Sequence, residues 1–175
     1  MLLNRAGKPV SPRRPAIPHL VSIAYSPAAG DTQPPDHYQR VPVTHAALTV
    51  AGGLAGDRKG RHPDRQLNVM TREVLDALAA EGYHTAPGQM GEQLVVSGLN
   101  LNALAPGDRV QLGPQAIIEI IKPRTGCDRF EAIQKLTRRQ AAGRMGQMCR
   151  VIVGGPLAVG DDVRVLVAEP GGAPV

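Results

Sequence analysis

The sequence predicts a single, mainly β domain. Seven short runs of β-forming residues recur along the 175-residue chain, each about as long as an ordinary strand, and Gly- or Pro-bearing turns separate several of them. A composition of 42% hydrophobic and 20% charged residues is typical of a globular domain with one core. The predicted strands are HLVSIAYS from residue 19, HAALTV from 45, QLNVM from 66, EQLVVSG from 92, AIIEIIK from 116, CRVIV from 149 and DVRVLVA from 162.

Two helices are predicted between the strands. The segment TREVLDALAAEG, residues 71–82, starts with Thr71 as an N-cap and ends at Gly82, with apolar residues spaced on one helix face. The second helix covers part of residues 129–141. Its shared face is formed by Phe130, Ile133, Leu136 and Thr137.

Proline-rich segments without periodicity flank the domain. Residues 1–18 and 169–175 are expected to be flexible, which leaves residues 19–168 for the folded domain. Inside it, the segments LNALAPGDRVQLG and VGGPLAVGDDVRVLV each place Gly-Asp before an alternating run. We interpret this echo as recurring turn chemistry that delivers a strand, rather than as gene duplication.

The charge of the chain restricts its partners. A net charge of +5 invites a nucleic-acid hypothesis, but four aromatic residues leave little for base stacking, and anionic small molecules would satisfy the same charge. We therefore expect a small-molecule partner and no nucleic acid. No apolar run approaches the roughly 18 residues of a membrane span, and the N-terminus lacks the pattern of a secretory signal, so the expected location is the cytoplasm, away from membranes.

The chain has two cysteines, and Cys127 lies in the unusual run IKPRTGCDRF. Pro123 and Gly126 indicate a turn after a predicted strand, where a side chain can face a cleft. Neighbouring cations favour the thiolate, the form that ligates metals or attacks sulfur. From these residues alone, the thiol could be a small hydrophobe, a redox switch, a nucleophile or a ligand for a soft metal. The neighbouring cations are Lys122, Arg124 and Arg129.

The second thiol has a different setting. Cys149 lies in an apolar predicted strand, where burial makes a thiol inert, and we predict that it packs in the core. A structural disulfide between the two cysteines is the weaker interpretation, because a reducing compartment keeps thiols free. Zinc is not expected either, since no Cys/His cluster supplies four ligands.

A glycine-rich basic stretch, GGLAGDRKGRHPDRQ, starts at residue 52. Its glycines allow a tight loop with free backbone amides, and its arginines can bind a phosphate or a pterin carbonyl, bidentately in favourable cases. The alternative is an ordinary solvated basic loop, because charged residues lie on the surface by default.

Four segments in order carry a resemblance to a known family. They are GGLAGDRKGRHPDRQLNVMTREVLDAL, GQMGEQLVVSGLNLNALAPGDRVQLG, IIKPRTGCDRF and GDDVRVLV. Together they resemble the MOSC domain, the module found at the C-terminus of molybdenum-cofactor sulfurases and in small free-standing bacterial proteins. The resemblance implies a β-barrel-like fold with a few short α-helices. It also implies a cleft that binds the molybdenum cofactor (molybdopterin), with Cys127 as metal ligand or sulfur carrier.

The resemblance also places further residues at that cleft. Expected cofactor contacts, besides Cys127, are Asp57, Arg58, Arg65, Gln66, Gln93 and Arg124, with Asp64 and His62 nearby. Two positions depart from the family pattern: Gln93 stands where many members have Asn after Gly-Glu, and Gly126 stands where many have Pro before the cysteine. We expect these departures to affect substrate geometry more than cofactor binding.

Two functions follow from the resemblance. The first is a molybdenum-dependent oxidoreductase that reduces N-hydroxylated or N-oxide small molecules, with His62 as a proton source. Its electrons would come from an external donor protein, because the chain has neither the cysteine set of an iron–sulfur cluster nor a GxGxxG motif. The second is a carrier that delivers a persulfide sulfur or the cofactor to an acceptor enzyme. A pyridoxal-phosphate domain is not expected in so short a chain, and the oligomeric state is not predicted.

Overall fold

The structure is a computed structural model that describes residues 17–27 and 34–166. Apart from residues 17 and 18, the two predicted flexible segments lie outside the described residues. Eleven strands, two α-helices and one 3₁₀ turn lie within them. Their bounds are β1 His19–Tyr25, β2 Val41–Val43, β3 His45–Thr49, β4 Gly53–Leu54, β5 Leu67–Thr71, α1 Arg72–Ala80, β6 Leu94–Ser97, the 3₁₀ turn Leu101–Ala103, β7 Arg109–Leu112, β8 Ala116–Pro123, α2 Asp128–Gln134, β9 Gln147–Val153, β10 Gly155–Ala158 and β11 Val163–Leu166.

The strands form two sheets. Eight strands pair in the order β11-β7-β8-β9-β5-β6-β1-β2, and three pair in the order β10-β3-β4. Every pairing is antiparallel except that of β5 with β6, which α1 connects as a βαβ unit. The prediction of a mainly β domain with short helices is therefore confirmed.

One edge strand of the large sheet, β11, approaches β1, which neighbours the other edge strand, β2. A single antiparallel bridge joins His19, at the start of β1, to Asp162, just before β11. Three backbone hydrogen bonds flank this bridge. The amide of Leu20 donates to the carbonyl of Asp161 at 2.8 Å, the amide of Gly160 to that of Leu20 at 2.7 Å, and the amide of Val163 to that of Pro18 at 2.8 Å. Because no continuous ladder crosses this junction in the described residues, closure into a barrel stays a prediction.

Strand β5 lies between two apolar clusters. Its residues Leu67 and Val69 pack into a large cluster formed mainly by the sheet, whereas Met70 joins a second cluster beneath the helices with Leu78 and Phe130. Side chains of a strand alternate between faces, so Asn68 leaves the large cluster and shares the side of Met70. This alternation places one polar residue of β5 outside the sheet core.

The first helix begins and ends as predicted. The hydroxyl of Thr71 accepts a hydrogen bond from the amide of Val74 at 3.3 Å, and Gly82 adopts a φ of 95° just beyond the helix. The second helix is shorter than the predicted segment. It ends at Lys135, which has a left-handed φ of 57°, and the side chain of Gln140 accepts from the amide of Thr137. That local bond competes with helix continuation.

The echo of Gly-Asp turns is confirmed as shared turn chemistry. Gly107 and Gly160 have φ values of 95° and 97°, a conformation that glycine adopts without steric cost. The carboxylate that follows each glycine accepts from the backbone amide three residues before that carboxylate, at 2.7 Å for Asp108 and 2.8 Å for Asp161.

No helix of the described residues is long and apolar enough to cross a bilayer.

Candidate functional site

A cleft of about 340 Å³ contains the cysteine of interest. Five residues predicted from the sequence line it together: His62, Arg65, Gln93, Arg124 and Cys127. A larger cavity of about 670 Å³ beside β2 is lined mostly by apolar and hydroxyl side chains and has no cysteine. The cleft therefore brings these five predicted side chains together. Its other lining residues are Tyr38, Arg40, Lys59, Asn68, Gly91, Arg129 and Met148.

Cys127 is exposed at the N-cap position of α2. Its backbone is extended, with φ −129° and ψ 173°, and its side chain makes no capping hydrogen bond. Cysteine is a poor substitute for the Ser, Thr, Asp or Asn that usually cap a helix. The thiol is therefore not used by the helix and is available to a ligand in the cleft.

Arg124 is held rigidly beside the thiol. Its guanidinium donates to the carbonyl of Met90 and, at 3.3 Å, to the hydroxyl of Tyr38. It also lies 5.9 Å from the ring centroid of Tyr38 and 5.8 Å from that of Phe130, within the range of cation–π contacts. A guanidinium held at so many points keeps its direction, so Arg124 presents a fixed positive charge to the cleft.

Arg129 also contacts Tyr38 and binds the backbone of the segment just before it. It donates to the carbonyls of Pro34 and His37, at 2.8 and 3.2 Å, and lies 5.6 Å from the ring of Tyr38. The segment 34–40 is thereby anchored to the start of α2. Burial raises the pKa of Tyr38, while the positive charge of Arg124 acts in the opposite direction. The hydroxyl therefore remains protonated at neutral pH.

Gly91 makes the approach of these side chains possible. It has a φ of 83°, and a Cβ at this position would lie 2.9 Å from Nη2 of Arg124 and 3.2 Å from the ring of Tyr38. Any larger residue would both strain the backbone and separate the two side chains. This glycine, which the resemblance placed in a Gly-Glu-Gln motif, is required by the geometry of the cleft.

The glycine-rich loop is supported by a buried ion pair. Asp57 accepts from Arg40 at 2.7 Å and from the amide of Lys59 at 2.7 Å. The loop is also compact, because a Cβ on Gly60 would overlap the carbonyl oxygen of Gly52. Asp57 therefore holds the cationic residues Arg40 and Lys59 in place without lining the cleft itself.

The cleft carries an excess of positive charge. No carboxylate lines it, and within residues 17–27 and 34–166 four of its cations form no ion pair: Lys59, Arg65, Arg124 and Arg129. Burial, followed by the positive charges of Arg58 and Arg40, lowers the pKa of Lys59. Crowded cations that lack counter-charges attract an anionic ligand.

His62 and Arg65 are exposed residues of the cleft lining. The ring nitrogen Nδ1 of His62 accepts from the amide of Asp64 at 3.2 Å, and the carbonyl of His62 accepts from the amide of Arg65 at 3.0 Å. These two bonds define a local turn that brings both side chains to the same cavity. Nε2 of His62 remains available to a ligand.

Two amide side chains form the polar wall of the cleft. Gln93 accepts from the amide of Asn68 at 2.8 Å and donates to the carbonyl of Gln66 at 3.4 Å. Asn68 donates to the carbonyl of Met145 at 3.2 Å, while its buried Oδ1 has no donor among the described residues. The extra methylene of Gln93, a departure from the family pattern, lets its amide reach the backbone of β5.

Three predicted contact residues lie outside the cleft lining. Gln66 is buried and bonds to the backbone of Val50 and Val151, each at 2.7 Å. The amide of Arg58 donates to Ser26 at 3.1 Å, and Asp57 is occupied by the ion pair described above. In this structure these residues support the loop and the sheet behind the cleft.

Sequence reasoning missed four lining residues: Tyr38, Arg40, Asn68 and Met148. Tyr38 and Arg40 lie in a segment without periodicity, and their approach depends on distant partners. Asn68 did have a signal, because a polar residue between Leu67 and Val69 in an apolar strand indicates a special environment.

Among the described residues, no group of three His, Cys, Asp or Glu side chains could hold a metal ion, so Cys127 would be an isolated protein ligand.

The structure separates the two cysteines as predicted. Cys149 is 0% exposed in β9 and belongs to the large apolar cluster. Burial raises the pKa of its thiol far above the ordinary range. The prediction that Cys149 packs in the core is confirmed.

Comparisons with known proteins agree with this fold. The family model of the MOSC domain matches residues 50–164. YiiM from Escherichia coli is similar in structure, with a TM-score of 0.63 and 21% identity over 86% of this chain and 70% of that one. YUAD from Bacillus subtilis has a TM-score of 0.65 and 19% identity, over 84% and 94% of the two chains. YiiM from Geobacillus stearothermophilus has a TM-score of 0.62 and 18% identity, over 88% and 77%. No curated protein matches the sequence.

Proposed function

This chain belongs to the MOSC domain family, and on that premise we propose that it binds the molybdenum cofactor in the cleft and reduces N-hydroxylated or N-oxide small molecules. One observation carries the proposal: an exposed thiol, Cys127, lines the same cavity as four cations that have no carboxylate partner in the described part of the chain. A soft thiolate suits molybdenum, and the cations suit an anionic cofactor.

The residues present fit such a cofactor. The buried Oδ1 of Asn68 has no donor within residues 17–27 and 34–166, and a pterin ring offers N–H groups to such an acceptor. The side chains of Lys59 and Arg65 offer positive charge to a phosphate group. We propose that Cys127 ligates the metal, that Asn68 and Gln93 face the ring, and that Lys59, Arg65 and Arg124 hold the anionic part.

When bound, the molybdenum would supply two-electron redox chemistry and oxygen-atom exchange. Reduction of an N–OH group to N–H consumes two electrons and two protons, breaks the N–O bond and releases water. The Tyr38 hydroxyl accepts from Arg124, which leaves its own proton free for donation into the cleft. His62, whose Nε2 is free at the same cavity, is the second proton source that we propose.

The remaining parts of the reaction depend on other molecules. The sequence contains two cysteines, too few for an iron–sulfur cluster, so we propose that electrons arrive from a separate donor protein.

We also propose that the large sheet is barrel-like, an idea supported by the bridge between His19 and Asp162. Such curvature would draw the two edges of the sheet toward each other.

The second candidate function is that of a carrier for persulfide sulfur or for the cofactor itself. The observation that favours it is the exposure of Cys127, whose side chain makes no hydrogen bond to the helix it precedes. A thiol that is to pass sulfur to an acceptor enzyme must be reachable in this way. Reductase and carrier share the ligand and differ in whether repeated turnover occurs.

Metal analysis tests the binding step common to both functions. The full chain is purified from a host that makes the cofactor, together with Cys127→Ser and Cys149→Ala. We expect molybdenum in the wild-type and Cys149→Ala proteins and none in Cys127→Ser, because a hydroxyl is a poor ligand for a soft centre. Absence of molybdenum from the wild-type protein, or its full retention in Cys127→Ser, would contradict the proposed role of Cys127.

Turnover measurements then separate enzyme from carrier. Molybdenum-loaded protein receives an artificial electron donor and a hydroxylamine or N-oxide. A reductase forms many product molecules per chain and loses this activity in Cys127→Ser. A carrier gives at most one transfer per Cys127 and releases its cofactor or sulfur to an apo-acceptor. Full metal occupancy without turnover on a series of such substrates would favour the carrier.

A further inference from the structure

Two of the cleft-lining side chains carry buried hydrogen-bonding atoms without a partner. Four side-chain atoms in the described part of the chain are in this condition, and they include Oδ1 of Asn68 and Nε of Arg129. Asn68 is only 3% exposed. An unpaired buried acceptor is destabilising, so its presence calls for a donor that comes from outside the protein, either a ligand or a water molecule.

The hydrogen bonds of Asn68 explain why Oδ1 is its one polar atom without a partner among the described residues. Its backbone amide is bonded to Oε1 of Gln93 at 2.8 Å, and its backbone carbonyl accepts from the amide of Gln93 at 2.9 Å. Its Nδ2 donates to the carbonyl of Met145 at 3.2 Å, which fixes the orientation of the side-chain amide. The carbonyl oxygen of that amide is therefore the one polar group of Asn68 that has no partner among the described residues.

The chemistry around this acceptor limits the ligand. The charged groups of the cleft are cations, which take anions, whereas Oδ1 of Asn68 takes a donor. A ligand that satisfies both must join an N–H edge to an anionic substituent. An inorganic anion has no N–H, and a simple amine would be repelled by the cations. A pterin-type ring that bears an acidic group has both an N–H edge and an anionic substituent.

We propose that Asn68 is a specificity-determining residue of the cleft, which accepts an N–H of a pterin-type ring while Lys59 and Arg65 hold the anionic substituent of that ring. Because a pterin is the organic part of the molybdenum cofactor, the role of Asn68 rests on the proposed function. Its position in β5, a strand buried along its whole length, gives this acceptor a rigid support.

Gln147 provides a matched control for Asn68. It lies on the adjacent strand β9, where it pairs in register with Val69. It is also 3% exposed, and its Oε1 is also buried with no donor among the residues that the structure describes. Gln147 does not line the cleft. Replacement of each amide by leucine therefore removes the same kind of atom from the same sheet, at the cleft in one case and away from it in the other.

The experiment compares two ligands on the full-length, metal-free chain. Pterin-6-carboxylate, titrated by its fluorescence, offers both N–H groups and a negative charge. Inorganic phosphate, titrated by calorimetry, offers the charge alone. We expect Asn68→Leu to weaken the pterin by about tenfold, the effect of one lost hydrogen bond of ordinary strength, and to leave phosphate unchanged. Arg65→Ala should weaken both ligands, and Gln147→Leu neither.

Three results would overturn the role of Asn68. Equal loss of both ligands in Asn68→Leu would mean that the cleft had collapsed around a structural residue. Unchanged pterin affinity would mean that Oδ1 serves only water. Benzhydroxamic acid, an N–H donor without a pterin ring, is the third probe: if Asn68→Leu weakens only this compound, the donor belongs to the substrate. Asn68→Val, which is suited to a strand, replaces Asn68→Leu if the latter does not fold.

The outcome for Asn68 can be separated from that for the proposed function. Retention of molybdenum by the wild-type chain depends on Cys127 and is measured independently. Molybdenum retained by wild type, together with unchanged pterin affinity in Asn68→Leu, overturns the role of Asn68 alone. Pterin affinity that depends on Asn68, in a chain that retains no molybdenum, supports Asn68 as a pterin-binding residue and contradicts the metal-binding proposal.

Discussion

Arg40 and Asp57 form an ion pair at 2.7 Å whose side chains are only 7% and 0% exposed. The pair joins the segment before the matched family region to the glycine-rich loop within it. Arg40 also donates to the carbonyl of Gly91 at 3.1 Å, next to Glu92, whose pKa is raised by burial. A single guanidinium thus ties three separate parts of the chain together behind the cleft.

The first prediction concerns this pair. Asp57→Ala or Arg40→Ala should each lower the free energy of unfolding by about 3–5 kcal/mol, because each leaves a buried charge without its partner. The double variant should lose much less than the sum of the two, since neither charge remains. Urea unfolding measures all three. Single losses below about 1 kcal/mol, the range of surface pairs, would contradict the structural role of the pair.

The second prediction concerns the pH dependence of stability. Burial raises the pKa of Cys149 above its ordinary value of 9.0, so above that pH the unfolded chain releases a proton that the folded chain keeps. This contribution is fully present below about pH 9 and is lost as the pH rises, with a slope of about 1.4 kcal/mol per pH unit. Urea unfolding from pH 8 to 10 under reducing conditions measures the slope.

Cys149→Ala should remove that part of the alkaline slope, whereas Cys127→Ala should keep it. Thiol labelling of the native wild-type chain at neutral pH should modify Cys127 alone, and the second thiol should react only after unfolding. Rapid native labelling of both thiols, or an identical slope in the two alanine variants, would show that Cys149 is not buried as described.

The third prediction concerns Lys59 and anion binding. Because burial and nearby arginines lower its pKa below the ordinary 10.5, Lys59 loses its charge at a lower pH than an exposed lysine does. Sulfate affinity of the metal-free chain, measured by calorimetry as the pH is raised from 7 toward 10.5, should therefore begin to fall at a lower pH than an exposed lysine would cause. Lys59→Arg should keep its affinity to higher pH, since arginine stays protonated.

Lys122 offers a control, because it is an exposed lysine outside the cleft lining. Lys122→Met should leave the pH profile of sulfate binding unchanged, whereas Lys59→Met should lower the affinity at neutral pH and flatten the profile. A profile that is the same in Lys59→Arg as in wild type would assign the titration to another group.

The fourth prediction concerns the departure at Gly126. A Cβ there would lie 2.5 Å from Cβ of Arg138 and 3.1 Å from Sδ of Met145. Gly126→Ala should therefore cost about 1–3 kcal/mol of stability, as overpacking usually does. The same substitution should cost less in an Arg138→Gly background, because the colliding atom is gone. A double-mutant cycle from urea unfolding measures the coupling, and strict additivity would contradict this cause.

Most of the secondary structure follows from local sequence. All seven predicted strands are present, because β-forming residues flanked by turn residues dictate their own extended conformation. Strands β2, β4 and β10, of three, two and four residues, had no such signal and form by pairing with β1 or β3. The end of α2 at Lys135 was also not predicted, since it depends on a left-handed residue and on the turn that follows.

The sequence by itself determined the chemical content of the site: a free thiol in a cationic loop, a glycine-rich basic stretch and a buried second cysteine. These properties belong to neighbouring residues, so the chain order contains them. Only the tertiary structure decided that Asp57 and Gln66 support the cleft from behind, and that Tyr38 and Asn68 line it. These roles depend on contacts between residues far apart in the chain, such as Tyr38 with Arg124, which exist only once the sheet and loops have packed together.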